Sequence, residues 1–156
     1  RSCHSNDAGR PAGELLCMMP NPDEAPGCDL LFVYGTLRRG FELHHHLVRL
    51  NANCWGKGEV AGILFDLGRY PGARSPGREG EWIRGEVYQL CRPARDLKVL
   101  DEIEGFNPRA PQRGEFVREV AELILCNGQR RRAWVYWLRG GVPTTRRIAS
   151  GDYAQW

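Results

Sequence analysis

At 156 residues and 17.7 kDa, with 42% hydrophobic residues, the chain is long enough for one domain with a real core and too apolar to be disordered throughout. Its 22 basic and 19 acidic residues leave a net charge of only +3, which argues against nucleic acid as the principal partner. No apolar run approaches the roughly 20 residues of a membrane span, and no charged-then-apolar leader opens the chain. The default expectation is therefore a cytoplasmic protein without a membrane partner, although no initiator Met is present.

Residues 1–28 are rich in Gly, Pro, Ser, Asn and Asp around one short apolar patch at residues 15–19. They read as a loosely ordered tail ahead of a single domain over residues 29–156. Residues 30–34 are an apolar run too short for a helix and bounded by Gly35, hence a buried strand. The turn that follows it, Tyr34, Gly35, Thr36 and Leu37, leaves backbone N–H groups without strand partners and can hold a carboxylate or a carbonyl oxygen.

Residues 41–50 make a short helix, with Leu43, Leu47 and Leu50 on one face. His44, His45 and His46 lie within it, but adjacent helical residues point about 100° apart and cannot converge on one ion. They are read as surface or half-buried histidines, and no metal is expected. Two strand-like pieces over residues 53–67 are interrupted by Gly56, Gly58 and Gly62, a pattern of bulges or sharp curvature. Residues 68–73 read as a loop turning at Pro71-Gly72, and residues 81–90 as a strand carrying Trp82, Val87 and Tyr88. A curved, closed sheet follows from these pieces.

Pro93 suits a first helical turn, and a helix over residues 94–104 stops at Gly105. Residues 107–114 read as a mobile loop over a pocket, and residues 116–125 and 131–138 as two strands joined through Asn127-Gly128, a strong hairpin signal. The C-terminal stretch with Ser150, Asp152, Tyr153 and Trp156 is expected to pack a last turn on the barrel. Six cysteines (Cys3, Cys17, Cys28, Cys54, Cys91, Cys126) are scattered singly, which favours reduced thiols over a disulfide framework or a zinc site. The arginine pairs and triple, among them Arg38-Arg39 and Arg130 to Arg132, read as solvated charges.

One carboxylate stands out. With Leu100 at zero on a wheel of about 100° per residue, Leu97 falls at about 60°, Ile103 at about −60° and Glu104 at about 40°. Glu102 points to about 200°, into water, and Asp101 lies on the border. Asp96 faces the apolar side but sits in the first turn, where the helix dipole accounts for it. Burial raises a carboxylate's pKa towards the range in which it can take and return protons near neutrality. From this helix alone a glutamate reaching water at a fraying end remains the more ordinary reading.

Val33-Tyr34-Gly35-Thr36-Leu37, Tyr70-Pro71-Gly72, Gly85-Glu86-Val87-Tyr88 and the set Leu100, Asp101, Glu104, Gly105 and Phe106 together resemble the gamma-glutamylcyclotransferase-like family. The resemblance implies an α+β fold, a small curved β-barrel with short flanking helices. It also implies an acyltransferase or lyase that releases 5-oxoproline when the α-amine of a γ-glutamyl compound attacks its own γ-carbonyl, with no cofactor. Glu104 matches the general acid/base. Tyr34, Gly35, Thr36 and Leu37 match the loop that cradles the glutamyl end, and Tyr70 and Tyr88 are expected to line the site. Phe116 stands near a position where relatives often carry tyrosine, and His44 to His46 replace an asparagine-containing pattern. The leading expectation is thus a cyclotransferase for γ-glutamyl-amines or γ-glutamyl-amino acids. The alternative is a catalytically silent binding or interaction module, and a third reading is RNA binding through the arginine patches. The leaving amine and the oligomeric state, monomer or homodimer, stay open.

Overall fold

The computed structural model describes residues 28–75, 80–141 and 146–155. The first apolar run forms β1 (Leu30–Val33), and all four of its residues are buried. On one side it pairs antiparallel with β5 (Trp82–Gln89), Phe32 facing Val87. On the other it pairs parallel with β7 (Arg130–Leu138), Leu31 facing Trp134. Leu30 and Phe32 join an apolar cluster with Val60, Val87, Leu123 and Val135, whereas Leu31 and Val33 join a second with Leu47, Leu97 and Leu100. Successive side chains of a strand point to opposite faces, so a strand covered on both faces is apolar throughout.

β2 (Asn53–Ala61) and β6 (Phe116–Leu125) complete the order β1-β5-β2-β6-β7. The β1–β7 pairing closes this ring into a five-stranded mixed barrel, as the curved-sheet reading anticipated. β2 carries a register shift between Cys54 and Gly56, the expected bulge. The free part of β7 is taken by β4 (Pro71–Arg74), with Ala73 facing Trp137, and β4 pairs in turn with β3 (Ile63–Asp66). The loop expected over residues 68–73 is therefore corrected: Pro71 opens a strand. A proline is tolerated at a strand's first residue, and this segment is a strand because it pairs along all four residues with β3 and at Ala73 with β7.

Two helices pack outside the barrel. α1 (His44–Arg49) is shorter than the expected span, because residues 41–43 are taken up by tight turns, closed by bonds from Phe41 N–H to the Arg38 carbonyl at 3.1 Å and from His44 N–H to the Phe41 carbonyl at 3.2 Å. α2 (Pro93–Glu104) begins on its proline and ends at Gly105, whose φ of 69° is the left-handed conformation that glycine adopts without a Cβ clash. The β6–β7 hairpin turns through Asn127 and Gly128, and residues 107–114 include a 3-10 turn (Pro111–Arg113). The C-terminal segment returns to the barrel through bonds of 2.8 Å from Ile148 N–H to the Leu64 carbonyl and from Arg84 N–H to the Gly151 carbonyl. It ends in a 3-10 turn (Tyr153–Gln155).

The tail expectation over residues 1–28 lies outside the described residues except at Cys28, as does Trp156. Cys28 and Cys54 are free thiols, but Cys91 and Cys126 are disulfide-bonded, which corrects the expectation of reduced thiols at those two positions. Spacing along the chain does not reveal which sulfurs a fold brings within bonding reach. No described helix is long and apolar enough to cross a membrane.

Candidate active site

The end of β1 and the end of α2 face one another across a cavity of about 340 Å³. Where β1 stops, Arg38 N–H bonds to the Gly35 carbonyl at 3.0 Å and folds the chain into a tight turn. Among the described residues no backbone bond of this turn starts from the N–H of Gly35, Thr36 or Leu37. Three unengaged donors in succession form a concavity suited to an anionic oxygen. Gly35 is dictated by space, since a Cβ there would sit 2.7 Å from Cγ and 2.9 Å from Cδ of Pro71. Pro71 and the turn are in this way pressed together as one wall of the cavity.

The opposite wall is the last turn of α2. Its acidic residues have different fates, decided by what each meets. Asp96, fully buried, accepts the Arg92 N–H at 2.9 Å and the Arg95 guanidinium at 3.1 Å, so it caps the helix start. Asp101, 5% exposed, accepts both guanidinium nitrogens of Arg118 at 2.7 and 3.1 Å and the Tyr136 hydroxyl at 2.7 Å. Arg118 is itself stacked 4.4 Å from the Trp134 ring. Glu104 lines the cavity with its pKa pushed from the ordinary 4.5 up to about 7. Burial is the main cause and the nearby Glu115 charge the second, with no hydrogen bond to offset them. A half-ionised carboxylate at neutral pH is one that can both accept and return a proton.

Tyr34 lines the cavity, but its hydroxyl is already engaged. It donates to the Tyr136 carbonyl at 2.5 Å and accepts the Ala73 N–H at 3.3 Å. It thereby bridges β7 and β4 at the point where β1 peels away, and burial holds the phenol well above its ordinary pKa. Thr36 and Leu37 complete the turn side. Tyr70 stands at the rim and donates to Glu115 Oε2 at 2.6 Å, an interaction that raises its pKa. Phe116 and Tyr136 also line the cavity.

Of the residues singled out from the sequence, Glu104, Tyr34, Gly35, Thr36, Leu37 and Tyr70 thus share one cavity. Tyr88 does not join them. It lines a separate groove and donates its hydroxyl to Glu86 Oε1 at 2.9 Å. His44 is turned away as well, its Nδ1 bonding the Leu37 carbonyl at 3.0 Å. Sequence reading missed Glu115 and Tyr136. Glu115 lies outside any periodic element, and no local pattern marks it. Tyr136 is one of four consecutive β-strand formers, Trp134 to Trp137, and only the register of β7 decides which of them faces the cavity.

Residues 31–155 match the family model described as gamma-glutamyl cyclotransferase, AIG2-like. A provisionally named gamma-glutamylcyclotransferase of Arabidopsis thaliana is 31% identical over 106 residues, 62% of this chain and 52% of that protein. The gamma-L-glutamyl-butirosin B gamma-glutamyl cyclotransferase of Niallia circulans is 33% identical over 107 residues, 68% of this chain and 64% of that protein. The matches thus span between about half and two thirds of the length of these relatives. Among solved structures, an AIG2-like protein from Mus musculus superposes with a TM-score of 0.64 at 21% identity, over 80% of this chain and 87% of that one, which bears on the fold alone.

Proposed function

Since the chain belongs to the gamma-glutamyl cyclotransferase, AIG2-like family, we propose that it converts a γ-glutamyl compound to 5-oxoproline and a free amine, with Glu104 as general acid/base. The observation that carries this reading is the pairing of an unengaged carboxylate of pKa about 7 with three unengaged backbone donors across one small cavity. The turn at Gly35 to Leu37 would bind the glutamyl α-carboxylate, folding the substrate so that its α-nitrogen approaches its own γ-carbonyl carbon. Holding two groups of one molecule in such an arrangement replaces a search through chain conformers and supplies much of the rate.

Glu104, ionised, takes a proton from the α-ammonium. The freed nitrogen bonds to the γ-carbonyl carbon and closes a five-membered ring, and the carbonyl oxygen becomes an oxyanion. Glu104 then delivers its proton to the departing nitrogen as the oxyanion re-forms the carbonyl and the old carbon–nitrogen bond breaks, and it takes the second proton of the ring nitrogen and passes it to the released amine, which leaves as an ammonium. Substrate with its α-ammonium in equals 5-oxoproline plus the amine as an ammonium out, with no net change in protons on Glu104 and no redox step. The family resemblance proposes this chemistry; the residues fit it because, of the two acids of α2 that have no hydrogen-bond or ion-pair partner among the described residues, Glu102 is exposed and Glu104 is the one that burial raises towards neutrality.

The test is 5-oxoproline release from γ-glutamyl-amines and γ-glutamyl-amino acids by the wild type and Glu104→Gln. Turnover lost in a folded variant supports the reading, and turnover retained in it removes Glu104 from the chemistry. A second reading, a binding module without turnover, draws on Phe116, which gives the cavity wall a ring with no hydroxyl. It predicts binding of 5-oxoproline with no release from any substrate.

A further inference from the structure

Among the described residues that line the cavity there is no lysine, arginine or histidine, yet Glu102, Glu104 and Glu115 all line it. Their positions differ in kind. Glu104 faces the turn donors, deep enough for burial to raise its pKa. Glu115 is exposed, at the same end as Tyr70, and Tyr70 holds one of its two carboxylate oxygens at 2.6 Å. An exposed glutamate ordinarily samples many rotamers, and here a phenol from β4's approach fixes it beside the cavity mouth.

Resting on the cyclotransferase reading, we propose that Glu115, braced by Tyr70, is the residue that selects the leaving group, and that the preferred leaving amine carries a second, cationic nitrogen. The glutamyl half of any substrate brings its own carboxylate to the turn and its α-nitrogen to Glu104. What remains for the departing half is the mouth, where the charged side chains that line the cavity among the described residues, Glu102 and Glu115, are negative and Arg69, next to Tyr70, lies outside that lining. A leaving group that ends in a carboxylate, as a free amino acid does, meets like charge there, and one that ends in an ammonium meets an oriented carboxylate. Glu115 Oε1 accepts no hydrogen bond from a described residue, so a donor from the substrate has a place to bind. The preference acts on k_cat/KM through binding of the departing half, and as a partly exposed interaction it weakens with salt.

The experiment compares three γ-glutamyl amides of the same length that differ in the terminal group alone: those of 1,4-diaminobutane, of pentylamine and of 4-aminobutyrate. The wild type is expected to rank them cationic, then neutral, then anionic, with at least about a tenfold span in kcat/KM, the scale of one favourable charge contact. That span should shrink as ionic strength rises. Glu115→Gln should lose the advantage of the cationic substrate over the neutral one while still turning over the neutral one. It should also shift the acidic limb of the neutral substrate's pH profile downwards, because the charge that helps hold Glu104 near 7 is gone. A merely structural role would move neither the charge ranking nor that limb. Equal kcat/KM for the three amides, or a ranking that survives in Glu115→Gln, overturns the inference and leaves the cyclotransferase reading intact. Absence of 5-oxoproline from all three, and from γ-glutamyl-amino acids, removes that reading and the inference together.

Discussion

At the scale of single residues, Glu104 couples the proposed chemistry to stability. Its carboxyl titrates near 7 when folded and near 4.5 when exposed, so between those values the folded state holds the proton and the unfolded chain does not. The stability associated with this group is complete below about pH 4.5 and is lost as pH rises through about 7, by an amount on the order of 3 kcal/mol at most. Urea midpoints across pH 5 to 8 should therefore fall for the wild type and stay flatter for Glu104→Gln, which carries no charge to bury. The same variant is expected to lose about a thousandfold in kcat/KM, and in the wild type kcat/KM should rise with pH towards a plateau above about 7, where the base is ionised. Tyr34 makes a different contribution. Removing its hydroxyl strands the Tyr136 carbonyl and the Ala73 N–H, both buried, so Tyr34→Phe should cost about 1–3 kcal/mol by denaturant titration with an unchanged m-value. Whatever activity it loses should return in proportion to the folded fraction.

At the scale of elements, α2 is aimed by two features at opposite ends of one turn. Asp101 ties it to Arg118 of β6 and Tyr136 of β7, and Gly105 ends it one residue after Glu104. Arg118, stacked on Trp134 and largely buried, would be left without its counter-charge in Asp101→Ala. That substitution should destabilise the protein by about 3–5 kcal/mol. Gly105→Ala is milder. A Cβ there meets nothing within 4 Å, so the cost is backbone strain alone, about 1 kcal/mol in thermal or chemical unfolding. Because the strain falls on the residue next to Glu104, kcat should drop by more than this stability loss explains.

At the scale of the whole molecule, the turn after β1 is anchored from the C-terminal segment. Arg38, just past that turn and 6% exposed, pairs with Asp152 at 2.8 Å, and Glu86 of β5 stands 3.9 Å from its Nε while accepting the Arg39 N–H at 2.9 Å. Asp152→Ala should cost about 3 kcal/mol, with Glu86 limiting the loss, and should raise KM by loosening the turn, which substrate-concentration series would read directly. Much of the architecture is nonetheless local in origin. β1, the span of α2, the β6–β7 hairpin and the bulge in β2 follow from apolar runs, a first-turn proline, a stop glycine and Asn127-Gly128, whose physics acts within a few residues. So does the placing of Glu104 on the apolar face of its helix, because helical periodicity is a property of neighbours. What tertiary structure alone decided is every feature that depends on a partner distant in sequence. The β3–β4 pair came to lie against β7 at Ala73, Tyr88 fell outside the cavity because of the register of β5 against β1 and β2, and Tyr34 spent its hydroxyl where two strands diverge. Asp101 and Glu104, three residues apart on one helix, came to opposite states because one met a guanidinium from β6 and the other met only apolar walls and a second carboxylate. Desolvation and pairing are set by what packs against a group, and no residue carries that information in its own neighbourhood.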